Sequence, residues 1–267
     1  MALVGLFGRP FVDLEDVVDA AALDDVDDEI TQALPRVDVT HTGGTLKWMG
    51  VVAPFQVDDG YVDAMHAIEA MPRDELARFV ALGDAPESVD LDGERRFGDE
   101  TDHPFTRAQV AFLKMRHAVY FPWKVCYHLL ENDRWDDKHD GAGKAFGAEA
   151  IAFFPRTVAL VQSLPFEQIG RCVIFGLEAN DHAPFHRDTE PGALSIAQSI
   201  SLDPRGSKRF ALADADGGSR VIVDARAYWF NDMDYHGVLA DPFFRYSIRV
   251  DGTFTRAFER ELRARLR

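Results

Sequence analysis

Two short segments in the last third of the chain carry residues whose types and spacing suit metal chemistry. The first reads His186-Arg187-Asp188; the second runs from Tyr235-His236-Gly237-Val238 through Arg245-Tyr246-Ser247. One residue separates His186 from Asp188, so in an extended chain the imidazole and the carboxylate point the same way. His236 follows fifty residues after His186, which is enough chain for intervening strands to wind round and return. Two imidazoles and one carboxylate on one face of Fe(II) leave the opposite face open to substrate and oxygen. The tripeptide alone says little. In a chain with nine histidines it reads equally well as a surface ion pair or a turn.

Arg245 adds what the tripeptide lacks. It begins Arg245-Tyr246-Ser247-Ile248-Arg249-Val250, nine residues beyond His236. Strand periodicity puts Arg245, Ser247 and Arg249 on one face and Tyr246, Ile248 and Val250 on the other. An arginine pointing into a small β structure is costly unless it meets an anion. A guanidinium grips a carboxylate in two-pronged fashion, and a serine two residues on can add a hydroxyl. The competing reading is a solvent-facing stripe on an edge strand. Next to His186, Asp188 and His236, the expectation is a metal triad with an anion clamp at Arg245 and Ser247.

The elements that must position these residues follow from pattern. Leu14 to Leu34 reads as an acidic helix, Thr40 to Gly44 as a turn and Leu46 to Phe55 as extended chain. Asp63 to Ala81 is helical but broken by Pro72, and residues 83–104 and 131–147 are loops. Thr106 caps a helix running to Tyr120, and Thr157 to Leu164 is a short helix ended by Pro165. Beyond about Cys172 the chain turns strand-rich, with segments 171–178, 194–202, 208–213, 219–224, 226–231 and 244–250 separated by Gly, Asp and Pro turns. Short strands at that density suggest a small β-sandwich or jelly roll. The expected architecture is therefore a mixed, largely helical region at 1–165, a β core at 166–255 and a basic helix at 256–267.

Composition narrows the function. A net charge of −16 argues against a nucleic-acid partner, because phosphate backbones need a basic surface. No apolar run is long enough for a bilayer, and the first ten residues lack the basic start of a secretory signal. Two cysteines, Cys126 and Cys172, make no disulfide framework, so a reduced, cytoplasmic setting is expected. Residues 13–29 carry nine carboxylates and no basic residue, whereas Arg256 to Arg267 holds five arginines. Both runs read first as solvated helix faces, and a pairing of the two termini is the sharper alternative. Nothing resembles a phosphate loop or a dinucleotide fingerprint.

With H-x-D, the distal histidine and the following Arg-x-Ser in view, the chain resembles the Fe(II)/2-oxoglutarate-dependent dioxygenase superfamily. Phe154-Pro155-Arg156-Thr157-Val158-Ala159-Leu160, the stretch on to His186, and His236-Gly237-Val238 are similar to its aspartyl/asparaginyl β-hydroxylase-like branch. The likeness covers about residues 153–252. It implies a double-stranded β-helix, with His186, Asp188 and His236 on Fe(II). It also implies Arg245, aided by Ser247, on the distal carboxylate of 2-oxoglutarate. The activity implied is O2-dependent hydroxylation of an amino acid or a peptidyl residue, with 2-oxoglutarate converted to succinate. Asp188 departs from the animal members of that branch, which lack a carboxylate in the triad, so their peptidyl-aspartate substrate does not carry over. Two rivals stand beside this reading: a cupin-like metalloenzyme without 2-oxoglutarate, and a non-catalytic β-sandwich binding module.

Overall fold

The chain is described here by a computed structural model that covers residues 3–37, 50–52, 64–93, 105–132, 137–189, 196–214 and 219–265. In chain order the strands are β1 (Phe11–Asp13), β2 (Val51–Val52), β3 (Val119–Tyr120), β4 (Lys124–His128), β5 (Leu130–Glu131), β6 (Ala145–Phe146) and β7 (Phe166–Leu177). They continue with β8 (Ala183–His186), β9 (Ser199–Leu202), β10 (Phe210–Ala213), β11 (Arg220–Ile222), β12 (Ala227–Phe230), β13 (Tyr235–Val238) and β14 (Arg245–Phe254). The helices are α1 (Ala20–Ala33), α2 (Ala64–Glu69), α3 (Arg73–Val80), α4 (Arg107–His117), α5 (Ala148–Phe153), α6 (Pro155–Ser163) and α7 (Arg256–Arg265).

Two antiparallel sheets position the site. The larger has the order β1-β12-β9-β14-β7-β4 and the smaller the order β11-β10-β13-β8. β14 pairs along both edges, with β9 and β7, is buried on both faces along nearly its whole length, and alternates strictly. Tyr246, Ile248 and Val250 face outward into the main core, beside Cys172, Ile174, Ile200, Leu202 and Trp229. That layer is closed by Leu23, Val26 and Ile30 of α1, Val158 and Val161 of α6, and Phe258 and Leu262 of α7. Fully burying one such aliphatic side chain stabilises the fold by about 1.5–3 kcal/mol. The inner faces of the two sheets share a second cluster, in which Leu177, Tyr228 and Phe230 meet Phe210, Leu212 and Val238. The strand parity expected for Arg245 to Val250 is the parity observed.

The acidic helix is more than a solvated face. Asp19 caps α1 by accepting from Ala21 N at 2.9 Å. Glu29, on its surface, accepts from Arg156 N and Thr157 N, both at 2.8 Å, and from the Thr157 hydroxyl at 2.7 Å. It thereby supplies the open N-terminus of α6 with acceptors that Pro155 and Phe154 do not offer. Asp24 and Asp27 pair with Arg226 and Arg205, and Arg265 of α7 pairs with Asp16. The acidic and basic termini are thus in contact. Each exposed pair contributes at most about 1 kcal/mol.

Several boundaries differ from expectation. The helix starting at Thr106 has the expected cap, a reciprocal box with Gln109, but it ends at His117. Ala118 takes a left-handed conformation (φ 53°) and the chain continues as β3. Pro72 does separate two helices, α2 and α3. β8 and β13 are strands that the pattern did not mark. β1 and β4 belong to the large sheet although they precede residue 165, so that sheet draws on both sides of the expected boundary. Of the Leu46 to Phe55 segment, Val51–Val52 forms β2; most of the remainder and the expected turn at Thr40 to Gly44 lie outside the described residues. Among the described residues no helix is long and apolar enough to cross a membrane.

Candidate metal centre and its cavity

His186 ends β8, and His236, the second residue of β13, is its direct partner across the sheet. Their rings lie 4.4 Å apart between centroids. Each ring is fixed from behind: Nδ1 of His186 is 2.8 Å from Pro184 O, and Nδ1 of His236 is 3.0 Å from Asp234 O. A proton on Nδ1, donated to those carbonyls, leaves both Nε2 lone pairs facing forward. Asp188 Oδ1 then sits 3.3 Å from His186 Nε2 and 3.5 Å from His236 Nε2. The three residues offer ligand atoms all within 4.8 Å of one another, the only such group of three or more among the described residues. One point can therefore be reached by two imidazole nitrogens and a carboxylate oxygen, a set that suits non-haem iron.

The electrostatics match that use. Burial alone would raise the Asp188 carboxyl, but His236 and His186 hold it well below the usual carboxylate range. Burial pushes His236 down, toward the neutral form a metal requires. Asp188 is itself anchored through the turn ahead of β13: Asp188 N donates to Asp232 O at 3.0 Å, and the Thr189 hydroxyl donates to Asp232 Oδ2 at 2.6 Å. The same turn is strapped to the N-terminal segment. Val4 N and Gly5 N donate to the Asp234 carboxylate, each at 2.7 Å, while Asn231 Nδ2 donates to Gly5 O at 3.1 Å. Asn231 and Asp232 act here as braces.

The triad opens on a cavity of about 360 Å³ between the two sheets. Trp123, Phe175, Leu177, Phe210, Phe230 and Val238 supply its apolar lining. Trp123 meets the His186 ring at 5.2 Å, and Phe230 meets the His236 ring at 4.7 Å. The polar lining besides the triad includes Lys138, Arg171, Ser201, Lys208, Ser247 and Arg249.

Ser247 and Arg249 face the cavity as their parity requires, whereas Arg245 is not among the lining residues. The Arg245 side chain is fully buried at the start of β14. Its Nη1 donates to Leu239 O and to Asp241 Oδ2 (3.0 Å), and its Nη2 donates to Asp181 O (2.8 Å) and Glu178 O (3.4 Å). Arg245 thus ties together the loops after β7 and β13. Arg249 donates through Nε to Asp251 Oδ1 at 3.1 Å, and its buried Nη2 has no hydrogen-bond partner among the described residues. Beside it Lys208 Nζ donates to Ser247 Oγ at 2.7 Å. Burial in the cavity pushes Lys208 down to about 8; Asp203 opposes this, and the Arg249 and Arg245 charges add to it. The buried Tyr228 hydroxyl, pushed well above the usual phenol range by burial, belongs to the strand position paired with Ser201, which is in turn the register partner of Arg249.

Lys208, Arg171, Lys138 and Trp123 were not singled out by the sequence pattern. Lys208 opens the expected strand 208–213, and Arg171 opens the expected strand 171–178, so their parity was available. Lys138 and Trp123 lie outside the strands the pattern marked and gave no signal. His182, four residues before His186, stands outside the triad; its carbonyl accepts from the Tyr120 hydroxyl at 2.8 Å.

No family model matches the chain, and no curated protein matches it. Among solved structures, it is similar to a 2OG-Fe(II) oxygenase family oxidoreductase from Burkholderia pseudomallei, at 14% identity over 55% of this chain and 78% of that one, with a TM-score of 0.32. A prolyl-4-hydroxylase from Pseudomonas putida gives 14% identity, 43% and 70% coverage, and a TM-score of 0.28. An RmlC-like cupin protein from Desulfovibrio desulfuricans gives 17% identity, 30% and 70% coverage, and a TM-score of 0.23. At these TM-scores the likenesses carry no weight; the site itself must carry the reading.

Proposed function

We propose that this chain is an Fe(II)- and 2-oxoglutarate-dependent oxygenase built on a double-stranded β-helix. In this reading it hydroxylates an unactivated C–H bond of an amino acid or a peptidyl residue in the cytoplasm. The observation that carries the proposal is the pairing of two features in one cavity. A two-histidine, one-carboxylate group stands on the smaller sheet, and facing it Arg249 and Ser247 of the larger sheet form a cationic floor with Lys208, whose amine reaches Ser247 from the segment ahead of β10. A metalloenzyme without an anionic cosubstrate has no need of that floor.

His186, Asp188 and His236 would hold the iron. When bound, iron supplies oxygen activation: O2, 2-oxoglutarate and the C–H bond give succinate, carbon dioxide and the hydroxylated product. The chain's own part is to bind, orient and exclude water. Backbone carbonyls fix both rings with Nε2 forward, and the low pKa of Asp188 keeps it ionised as a ligand. Arg249, Lys208 and Ser247 take the role expected for Arg245, holding the distal carboxylate of 2-oxoglutarate. Arg249 lines the cavity with a buried Nη2 to spare, which supports that assignment; Arg245 is not among the lining residues, its two Nη atoms are engaged by Asp241 and three backbone carbonyls, and Nε is its one nitrogen without a partner among the described residues. Phe210, Phe230 and Trp123 keep water from the reacting atoms.

Adding Fe(II) and 2-oxoglutarate to the protein without oxygen tests this. The keto-acid chelate gives a weak visible charge-transfer band, expected in the wild type and lost in His236→Ala. Stoichiometric metal binding with no band would instead mark a metalloenzyme that does not use 2-oxoglutarate. Absence of both would remove the metal assignment.

A further inference from the structure

The cavity differs on the two sides of its histidine pair. On one side the His236 ring meets Phe230 at 4.7 Å and Phe210 at 5.7 Å. Arg249 lies over the Phe230 ring at 5.0 Å, and Lys208 Nζ lies 5.5 Å from the centre of the Phe210 ring. The two cations of the floor thus stack on the very rings that flank His236, and the distal carboxylate of the cosubstrate belongs to that side. On the other side the His186 ring meets Trp123, edge-on at 5.2 Å. Trp123 and Phe175 line the cavity and pack with the buried Val125 and Val173.

Strand order produces this difference. Across the larger sheet Ser247 of β14 is the register partner of Phe175 on β7, and Phe175 is the partner of Val125 on β4. Neighbouring strands lie about 4.8 Å apart, so β4 stands roughly 10 Å from β14. Trp123 precedes β4 by one residue and shares the parity of Val125. From β14 to β4 the wall therefore changes from Arg249 and Ser247 to valines and aromatic rings. Beyond this wall Arg171 is matched by the protein itself, donating through Nε (2.9 Å) and Nη2 (2.7 Å) to Asp251, and Lys138 acts on the same carboxylate. The four side chains of the wall carry no charge, and the Trp123 indole N–H is their one polar group. A charged side chain set against them would lose its water without gaining a partner, whereas an apolar one gains in proportion to the area it covers.

Resting on the oxygenase reading above, we propose that Trp123 and Phe175 form the substrate wall of the site, and that the residue hydroxylated has an aliphatic or aromatic side chain seated against Trp123. Trp123 is then a specificity-determining residue. Its contact with the His186 ring fixes it beside a metal ligand, and its indole offers the largest apolar surface on this side of the cavity. The assignment concerns the side chain alone and holds for a free amino acid and a peptidyl residue alike. A cavity of about 360 Å³ that must also hold 2-oxoglutarate suits one such side chain.

The anaerobic Fe(II)–2-oxoglutarate band provides the test. The L-amino acids are titrated into that complex, each as the free acid and as its N-acetyl carboxamide, so that the backbone form does not decide the result. The tightest saturable shift should come from an aliphatic or aromatic side chain. Aspartate, glutamate, lysine and arginine should bind at least about tenfold more weakly, because their charge would stand without a partner. Trp123→Ala should weaken the best ligand about tenfold through lost apolar contact, with 2-oxoglutarate affinity within about threefold of wild type. Trp123→Phe should restore most of that loss, whereas damage to the fold would weaken cosubstrate and substrate together. If Trp123→Ala does not fold, the ranking of side chains on the wild type still decides. A polar side chain as the tightest ligand, a Trp123→Ala protein that binds the apolar ligand normally, or no shift with any compound would overturn the proposal while the band itself still stood. A wild type with no band would instead overturn the oxygenase reading beneath it.

Discussion

Arg245 and Arg249 share a strand, a face and a residue type, and they differ in what surrounds the guanidinium. At the start of β14, the loops following β7 and β13 fold back and present carbonyls of Glu178, Asp181 and Leu239 with the Asp241 carboxylate, which engage both Nη atoms of Arg245. Four residues on, Arg249 lines the cavity between the two sheets. Arg249 donates through Nε to Asp251 and lies over the Phe230 ring, and its buried Nη2 has no hydrogen-bond partner among the described residues. Strand parity sends an arginine inward, but the loop at that level decides whether it meets protein or ligand. One arginine is a rivet between loops, and the other lines the cavity, where the proposed function makes it a binding group.

The largest way to sharpen this contrast is to remove the metal end. His236→Ala should weaken Fe(II) binding by more than about a hundredfold, since it deletes a ligand and not merely a supporting group. Calorimetric titration with the metal would show it, and the same loss is expected for His186→Ala. Next comes Arg245→Ala, which leaves Asp241 and three carbonyls without their buried donor. It should cost about 2–4 kcal/mol of stability, seen as a melting temperature lowered by several degrees. A variant as stable as the wild type would break the contrast from that side.

A smaller effect concerns acidity. Lys208 lies near 8 and must be protonated to hold a carboxylate, so the affinity for 2-oxoglutarate should be full below that pH and fall as pH rises through it. Lys208→Met should be weaker throughout and lack this fall; a wild-type affinity flat from pH 6.5 to 9 would count against Lys208 as part of the floor. The smallest effect expected is at the brace behind His236. Asp234→Ala releases Val4 N and Gly5 N and should weaken Fe(II) about threefold to tenfold with the fold intact, a modest second-layer effect.

How much of this was legible in sequence follows the same division. Periodicity exposed the alternation of β14 and the apolar spacing of α1, because both elements are covered along a whole face. Residue type and spacing picked out His186, Asp188 and His236, and the fold brings the three together. Arg245 as the clamp came from position relative to His236, and that reasoning could not see the loop carbonyls that enclose it. Lys208 was hidden for a related reason. It precedes β10, and only the pairing of β10 with β13 and the facing of the two sheets carries its amine to Ser247. Lys138 and Trp123 come from loops, which have no period to betray them. The acidic run looked like solvated surface, yet Glu29 reaches the start of α6 across more than a hundred residues of sequence.

The contrast between the two arginines is most directly tested by the dissociation constant of 2-oxoglutarate, titrated anaerobically on the Fe(II) protein, in wild type, Arg249→Ala and Arg245→Ala. Loss of a charge-assisted contact to a carboxylate should raise that constant about tenfold to a hundredfold in Arg249→Ala with iron still bound. Arg245→Ala, measured well below its lowered melting temperature, should stay within about twofold of wild type, because its lost donors served the protein's own carbonyls. A weakening in Arg245→Ala as large as that in Arg249→Ala, or an Arg249→Ala protein that binds 2-oxoglutarate normally, would contradict the account.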